Sequence, residues 1–370
     1  MPAMLRNHQA LGARSALYLL LPPMPKALIK SPSFAKRLVA WQKQHGRHDL
    51  PWQSSADPYR VWLSEIMLQQ TQVVTVKAYF DKFLKRFPTV SGLSSASLDE
   101  VLGLWSGLGY YSRAKNLHRC AQIVANAHGG IFPNTKDALQ ALPGIGPSTA
   151  AAIASLCFGK REAILDGNVK RVLTRLHGFG QDLSVAAHEK ALWQIAQDVL
   201  PQQESDMPTY TQGMMDLGAT LCTRSQPACE RCPMQDICVA HLEGQASHYP
   251  VKSRKLKRSA QAMWLLFARS AKGAVWLQQR PPKGVWASLF TFPIFDSEEA
   301  LLTSLSKPLQ NKLHIAPAFV HVLTHKDLHL HVAHLALPTE QSLGDAGQWW
   351  GVQDWPNLGL PAPIRQLLLT

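Results

Sequence analysis

Cys222, Cys229, Cys232 and Cys238 follow the spacing C-x6-C-x2-C-x5-C. Four thiolates this close, around a short irregular loop, can hold one [4Fe–4S] cluster. Zinc is the alternative, although structural zinc sites usually pair two CxxC units and this stretch has one. Cys120 and Cys157 stand alone in apolar, helix-like text and read as small core residues. Clustered thiols without a disulfide framework point to a reducing compartment, so the expected location is the cytoplasm. Arg224 and Arg231 lie inside the cysteine loop, where they can reach phosphates.

A second chemical signal is SEIMLQQTQV, which sets Glu65 among Trp62, Leu63, Ile66, Met67 and Leu68. Apolar surroundings disfavour an ionised carboxylate, so Glu65 is a candidate for holding a proton near neutrality. A second carboxylate opens ILDGNVKRVL, where Asp166 or Asn168 can equally cap the helix that begins there. Between them, LPGIGPSTAAAIASL joins Gly144 and Gly146, a proline at each shoulder and a small-residue helix. Backbone N–H groups in such a turn, at a helix N-terminus, form a phosphate site that reads no base sequence. This is the helix-hairpin-helix pattern.

The elements that must position these groups divide the chain of 370 residues. Residues 33–243 read as mainly α. Asp57-Pro58 resembles an N-cap and first-turn proline, opening a helix to about Leu68. Trp62, Ile66, Val73, Val76 and Phe80 keep helical spacing, and the polar run 69–72 between them is expected to be a turn between two helices. Further helical patterns lie around 97–105, 113–127, 136–141, 147–158, 168–176, 187–199 and 209–221, with the hairpin at about 136–158. Residues 244–258, ending in KSRKLKR, suit a basic linker. From 259 to 370 short runs such as AMWLLFARS, AVWLQQRP, FVHVLTH and LHLHVAHL indicate a separate α+β domain. Residues 1–32 are expected to be a disordered extension or an over-long start preceding Met24. The net charge of +13 calls for a polyanionic partner, nucleic acid first. No apolar run approaches the ~18 residues of a membrane span, so no membrane partner is expected.

Taken together, PYRVWLSEIMLQQTQV, LWSGLGYYSRAKNL, LPGIGPSTAAAI, ILDGNVKRVL and the four-cysteine loop resemble the adenine DNA glycosylases, members of the helix-hairpin-helix glycosylase superfamily. The resemblance covers about residues 33–370. It implies a mainly α catalytic region with a [4Fe–4S] loop and an α+β, NUDIX-like C-terminal domain that senses 8-oxoguanine. It implies a monomer that excises adenine mispaired with 8-oxoguanine or guanine in double-stranded DNA. The base must first leave the stack. By this resemblance Glu65 protonates the departing adenine, Asp166 stabilises the cationic sugar, and Asn168 supports them by hydrogen bonding.

The same resemblance assigns the contacts. Trp52 and Leu68 would wall the adenine pocket, and Asp216 would lie near the base. Gln70 and Thr71 would enter the duplex beside 8-oxoguanine, with Leu108 and Tyr110 as the wedge on its other side. Gly144 and Gly146 would serve the hairpin, and Lys170 would contact phosphate. Ser148 stands where strand-cleaving relatives carry a lysine nucleophile, so a monofunctional reaction is expected. Leu323-Thr324-His325 replaces a Phe-Ser-His loop frequent in the family, keeping a hydroxyl and the histidine without the aromatic. The glutamate-rich motif of NUDIX hydrolases is absent from 259–370, so no pyrophosphatase activity is expected. His321, His329, His331 and His334 read as alternating strand residues and not as a metal tract. The competing functions are a glycosylase/lyase for oxidised pyrimidines and a non-catalytic iron–sulfur DNA-binding protein.

Overall fold

The computed structural model describes residues 31–253 and 257–370. The anticipated extension falls outside the described residues up to position 30, and so does part of KSRKLKR. Twelve α-helices follow among the described residues before the sheet: α1 (Ser31–His45), α2 (Pro58–Leu68), α3 (Val73–Arg86), α4 (Val90–Ser94), α5 (Leu98–Trp105), α6 (Ser112–Ala127), α7 (Lys136–Gln140), α8 (Pro147–Phe158), α9 (Gly167–His177), α10 (Ala186–Asp198), α11 (Met207–Thr220) and α12 (Val239–Leu242). Short polar side chains start several of them. Asp57 accepts from the Tyr59 amide ahead of α2, and Ser97 accepts from Glu100 ahead of α5. The polar run 69–72 is a turn, because α2 stops at Leu68, Gln70 takes a positive φ of 58°, and α3 begins at Val73.

Two apolar cores hold the helices together. One gathers Trp62, Phe80, Phe83 and Trp105 from α2, α3 and α5. The other joins α1 to α9 and α11 through Phe34, Leu38, Leu173 and Leu217. Helix α8 serves both: Ala150, Ile153 and Ala154 belong to the first core, Ala151 and Ala152 to the second. Its alanines bring the backbone close to neighbours on both sides, which larger side chains would hold apart at native packing density. Glu65 on α2 and Asp166 before α9 therefore come from different cores and meet at the cleft between them.

The second region is built on β1 (Ser259–Ser270), β2 (Val275–Gln279), β3 (Phe290–Thr291), β4 (Ile294–Phe295), β5 (Leu313–Ile315), β6 (Phe319–Val322), β7 (Lys326–Leu337) and β8 (Gly347–Trp350). β1 and β7 run parallel in register from Ser259↔Lys326 to Ser270↔Leu337, and the remaining pairings are antiparallel. α13 (Glu298–Thr303), α14 (Lys307–Gln310) and α15 (Ala362–Leu369) complete it. Opposite faces of β1 feed separate clusters, Met263, Leu265 and Phe267 in one and Leu266 and Ala268 in the other. The histidines lie along these strands: His331 stacks on Trp264 with centroids 4.3 Å apart, and His334 packs beside Phe267. Leu289, from the loop before β3, is buried in the first helical core, so the two regions share packing.

Candidate active site

Glu65 stands where two cavities meet. The first, of about 310 Å³, is walled by Trp52, Val61, Leu68 and Leu156 and rimmed by Arg47, His48 and Gln212. That volume lies at the low end of the range for small-molecule pockets. The second is an open groove of about 1230 Å³ running past Gln69–Gln72, Tyr110, Ser148, Asp166, Asn168 and Arg171. Glu65 is half-buried, and its remaining exposed surface opens on these two spaces. Burial raises its pKa to about 8, and the nearby Asp166 charge pushes the same way. At neutral pH the Glu65 carboxyl therefore keeps its proton.

Asp166 has a different setting. Its Oδ1 accepts the Val169 amide at 2.8 Å, so it is the N-cap of α9, where a negative charge meets the positive end of the helix. Capping and a place in the groove are thus compatible in one residue. Asn168 Oδ1 accepts from Arg171 Nη2 at 2.8 Å, and Arg171 also donates to the Gly218 and Cys222 carbonyls at 2.7 Å. Helix α9 is in this way tied to α11 and to the start of the cysteine loop.

Asp216 is fully buried, yet lines neither space. Its carboxylate accepts from the Arg47 amide at 2.9 Å, Arg47 Nε at 2.7 Å and Gln212 Nε2 at 2.8 Å. A carboxylate only accepts, so the Gln212 nitrogen must face Asp216 and its Oε1 is left to the cavity it rims. Asp216 thus sits behind Arg47 and Gln212, which rim the small cavity. Arg47 is not legible from local spacing, since it meets Asp216 across 169 positions, whereas Gln212 precedes Asp216 by one helical turn.

Other expected site residues divide. Trp52 lines only the small cavity, where its ring meets Phe80 edge-on, and Leu68 lines both spaces. Gln70, Thr71, Tyr110 and Ser148 line the groove, and Ser148 Oγ accepts the Leu165 amide at 3.0 Å. Leu108 does not: its side chain is buried in the first core and its carbonyl accepts from Arg113. Lys170 also stays outside the groove lining, because α9 aims its ammonium at Glu189 Oε1, 2.7 Å away. Gly144 needs its missing side chain, with φ of 79° and Asn116 where a Cβ would go, whereas Gly146 caps α8 at an ordinary φ of −83°. Thr324 Oγ1 lies 2.7 Å from Tyr110 Oη, which brings the C-terminal loop to the groove edge, and His325 is exposed beside it.

Arg113 is the group that sequence reasoning passed over, although it sits in the quoted GLGYYSR. Its buried guanidinium donates to the Ile66, Met67 and Gln69 carbonyls at 3.0, 2.8 and 2.6 Å and to Thr71 Oγ1 at 3.1 Å. It also reaches the Leu108 and Gly109 carbonyls. A cation at the C-terminus of α2 answers that helix's orphan carbonyls and pins the turn that follows Glu65.

The four loop cysteines are half-buried, and each thiol of Cys229, Cys232 and Cys238 is raised by burial first and then by its cysteine neighbours. Arg175 Nη1 donates to Cys222 Sγ at 3.4 Å and to the Thr223 carbonyl at 2.7 Å, while Nη2 and Nε hold the Arg224 and Ala246 carbonyls. Among the described residues no three His, Cys, Asp or Glu side chains converge as a single ion requires. Four thiol donors on one short loop, beside the Arg175 guanidinium, are a donor set that could hold an iron–sulfur cluster.

Comparison with known proteins agrees with this geometry. Residues 63–198 match the HhH-GPD superfamily of base excision DNA repair proteins, 222–238 the iron–sulfur binding domain of endonuclease III, and 263–370 the NUDIX domain. An adenine DNA glycosylase of Buchnera aphidicola from Acyrthosiphon pisum is 38% identical over 340 residues, 90% of this chain and 96% of that protein. This chain belongs to the adenine DNA glycosylases. The human adenine DNA glycosylase is 44% identical over 218 residues, covering 56% of this chain and 39% of its own length. A solved thermostable thymine-DNA glycosylase superposes with a TM-score of 0.51 at 30% identity, over 58% of this chain and 97% of that one. The chain is a DNA-binding base excision repair glycosylase with an iron–sulfur loop and a NUDIX-like C-terminal domain.

Proposed function

We propose that this glycosylase removes adenine paired with 8-oxoguanine or guanine by hydrolysing the C1′–N9 bond. The observation that carries the reading is Glu65, protonated at neutral pH in a base-sized cavity beside the Asp166 carboxylate. The flipped base would lie against Trp52 and Leu68, with its exocyclic amine donating to Gln212 Oε1. The Glu65 proton passes to the adenine ring as the C1′–N9 bond breaks, and the bonding pair leaves with the base. Asp166 faces the positive charge that develops on the sugar. Water then adds to C1′, and its released proton returns to Glu65.

Ser148 occupies the hairpin position where a lysine nucleophile would be needed, and Lys170 is paired with Glu189, which supports a reaction without strand cleavage. On this reading the cysteine loop holds one [4Fe–4S] cluster, which gives the loop its shape, and the protein acts as a monomer. Gln70 and Thr71 read the opposite base from one side, with Tyr110, Thr324 and His325 on the other.

Adenine release from duplexes carrying A:8-oxoguanine, A:G, A:T or thymine glycol tests this. Release from the first two, without borohydride trapping, is the expected result. Release from thymine glycol with a trapped covalent complex would overturn it in favour of a lyase.

A further inference from the structure

The loop 106–111 between α5 and α6 carries Tyr110, a non-glycine residue at φ of 49° that lines the groove. A residue in the left-handed region is strained and persists where its surroundings hold it. The helical region holds the loop through Tyr79, Trp105 and Arg113, which donate to the Ser106, Leu108 and Gly109 carbonyls, and the C-terminal domain supplies a second set of holds. Ser106 Oγ and Tyr111 Oη both donate to the Leu360 carbonyl, at 2.9 and 2.7 Å. Arg365 Nε, from α15, donates to Ser106 Oγ at 3.1 Å, and its Nη2 is fastened to the Pro356 and Leu358 carbonyls. Tyr111 Oη in turn accepts the Gly107 amide at 3.3 Å, so a single hydroxyl joins the start of the loop to the neighbouring domain.

The backbones meet closely at this place. A Cβ on Gly103 in α5 would collide with the Asn357 carbonyl, and one on Gly359 would press on Leu102. Leu289 adds a buried anchor in the first helical core, beside Lys115 Nζ, which donates to Ser288 Oγ at 2.9 Å. Thr324 meets Tyr110 at the loop's outer side. The C-terminal domain thus grips both ends of the loop, Ser106 and Tyr111, through Leu360 and Arg365.

We propose that the C-terminal domain sets the conformation of the 106–111 loop from behind, through the Leu360 carbonyl and Arg365, as a positioning element for mispair reading. This rests on the proposed role of Tyr110 in reading the opposite base. The groups concerned are not part of the acid machinery at Glu65 and Asp166, and their loss should leave that chemistry in place.

The test pairs Ser106→Ala/Tyr111→Phe, on the loop, with Arg365→Ala, on the other domain, in the full chain. Hydrogen exchange of the 107–111 amides is read in the free protein, and kcat/KM is compared on A:8-oxoguanine and A:G duplexes. Both variants should speed exchange of those amides roughly tenfold while the rest of the helical region keeps its protection. Both should lower the preference for A:8-oxoguanine through KM with kcat little changed. Unchanged loop exchange in folded protein would overturn the proposal. So would faster exchange across all helices with equal loss on both duplexes, which marks a merely structural role. If the parent protein releases adenine from neither duplex, the functional reading fails by itself, and the exchange measurement still decides whether the domain holds the loop.

Discussion

The end of α2 and the start of α9 each present a carboxylate to one groove, and their surroundings differ in kind. Glu65 stands among apolar side chains, where burial and a like charge push its pKa up to about 8. Asp166 accepts a backbone amide at the positive end of a helix. One environment keeps a proton on the carboxyl and the other welcomes a negative charge, so a proton donor and an electrostatic partner arise from the same chemical group. The difference teaches that role follows from burial and hydrogen bonding, since Glu and Asp begin from similar intrinsic acidity.

Removing the proton breaks this contrast most directly. Glu65→Gln keeps size and removes the acid, and single-turnover adenine release should fall by about 10³-fold while duplex affinity stays within a fewfold of the parent. Asp166→Asn keeps the cap and removes the charge, so excision should drop by about 10²-fold with little change in unfolding temperature. Asp166→Ala loses cap and charge together and should in addition cost about 1 kcal/mol in denaturant unfolding.

Proton linkage sharpens the comparison further. The Glu65 pKa is raised in the folded protein, so excision that needs the protonated acid should be flat below pH 8 and fall about tenfold per unit above it. Stability carries the same sign. The unfolded chain ionises Glu65 first, so folding weakens as pH rises from about 4.5 to about 8 and is unaffected by this group below that window. At pH 7 the penalty is on the order of 3 kcal/mol, and urea titrations of Glu65→Gln should show that pH slope removed. The smallest effect expected on chemistry is from Asp216→Asn. It still accepts a hydrogen bond but frees the Gln212 amide to turn, so KM for the mispair should rise severalfold with kcat little altered.

Local features of the chain were legible because they depend on neighbours in sequence. The Asp57-Pro58 helix start, the turn at 69–72, the alanine-rich α8 and the alternating strands all appear in the structure near their expected places. Boundaries shifted by one or two residues, and the short α4, β5 and β8 gave too few residues for a periodic signal. Leu108 and Lys170 mark where side-chain placement was not legible in the sequence. Their expected roles depended on where a side chain points, and packing buried one while Glu189 drew away the other.

By itself the sequence determined which groups exist and how near they lie along the chain: two carboxylates, four spaced thiols, a glycine hairpin and a basic excess. Tertiary structure alone decided that α2 and α9, from different cores, face one groove, and that Arg47 reaches the buried Asp216 across 169 positions. It also brought Arg365 to Ser106 across 259 positions. Proton affinity at Glu65 and the interdomain hold on the 106–111 loop depend on groups distant in the chain, and local spacing carries no information about such contacts.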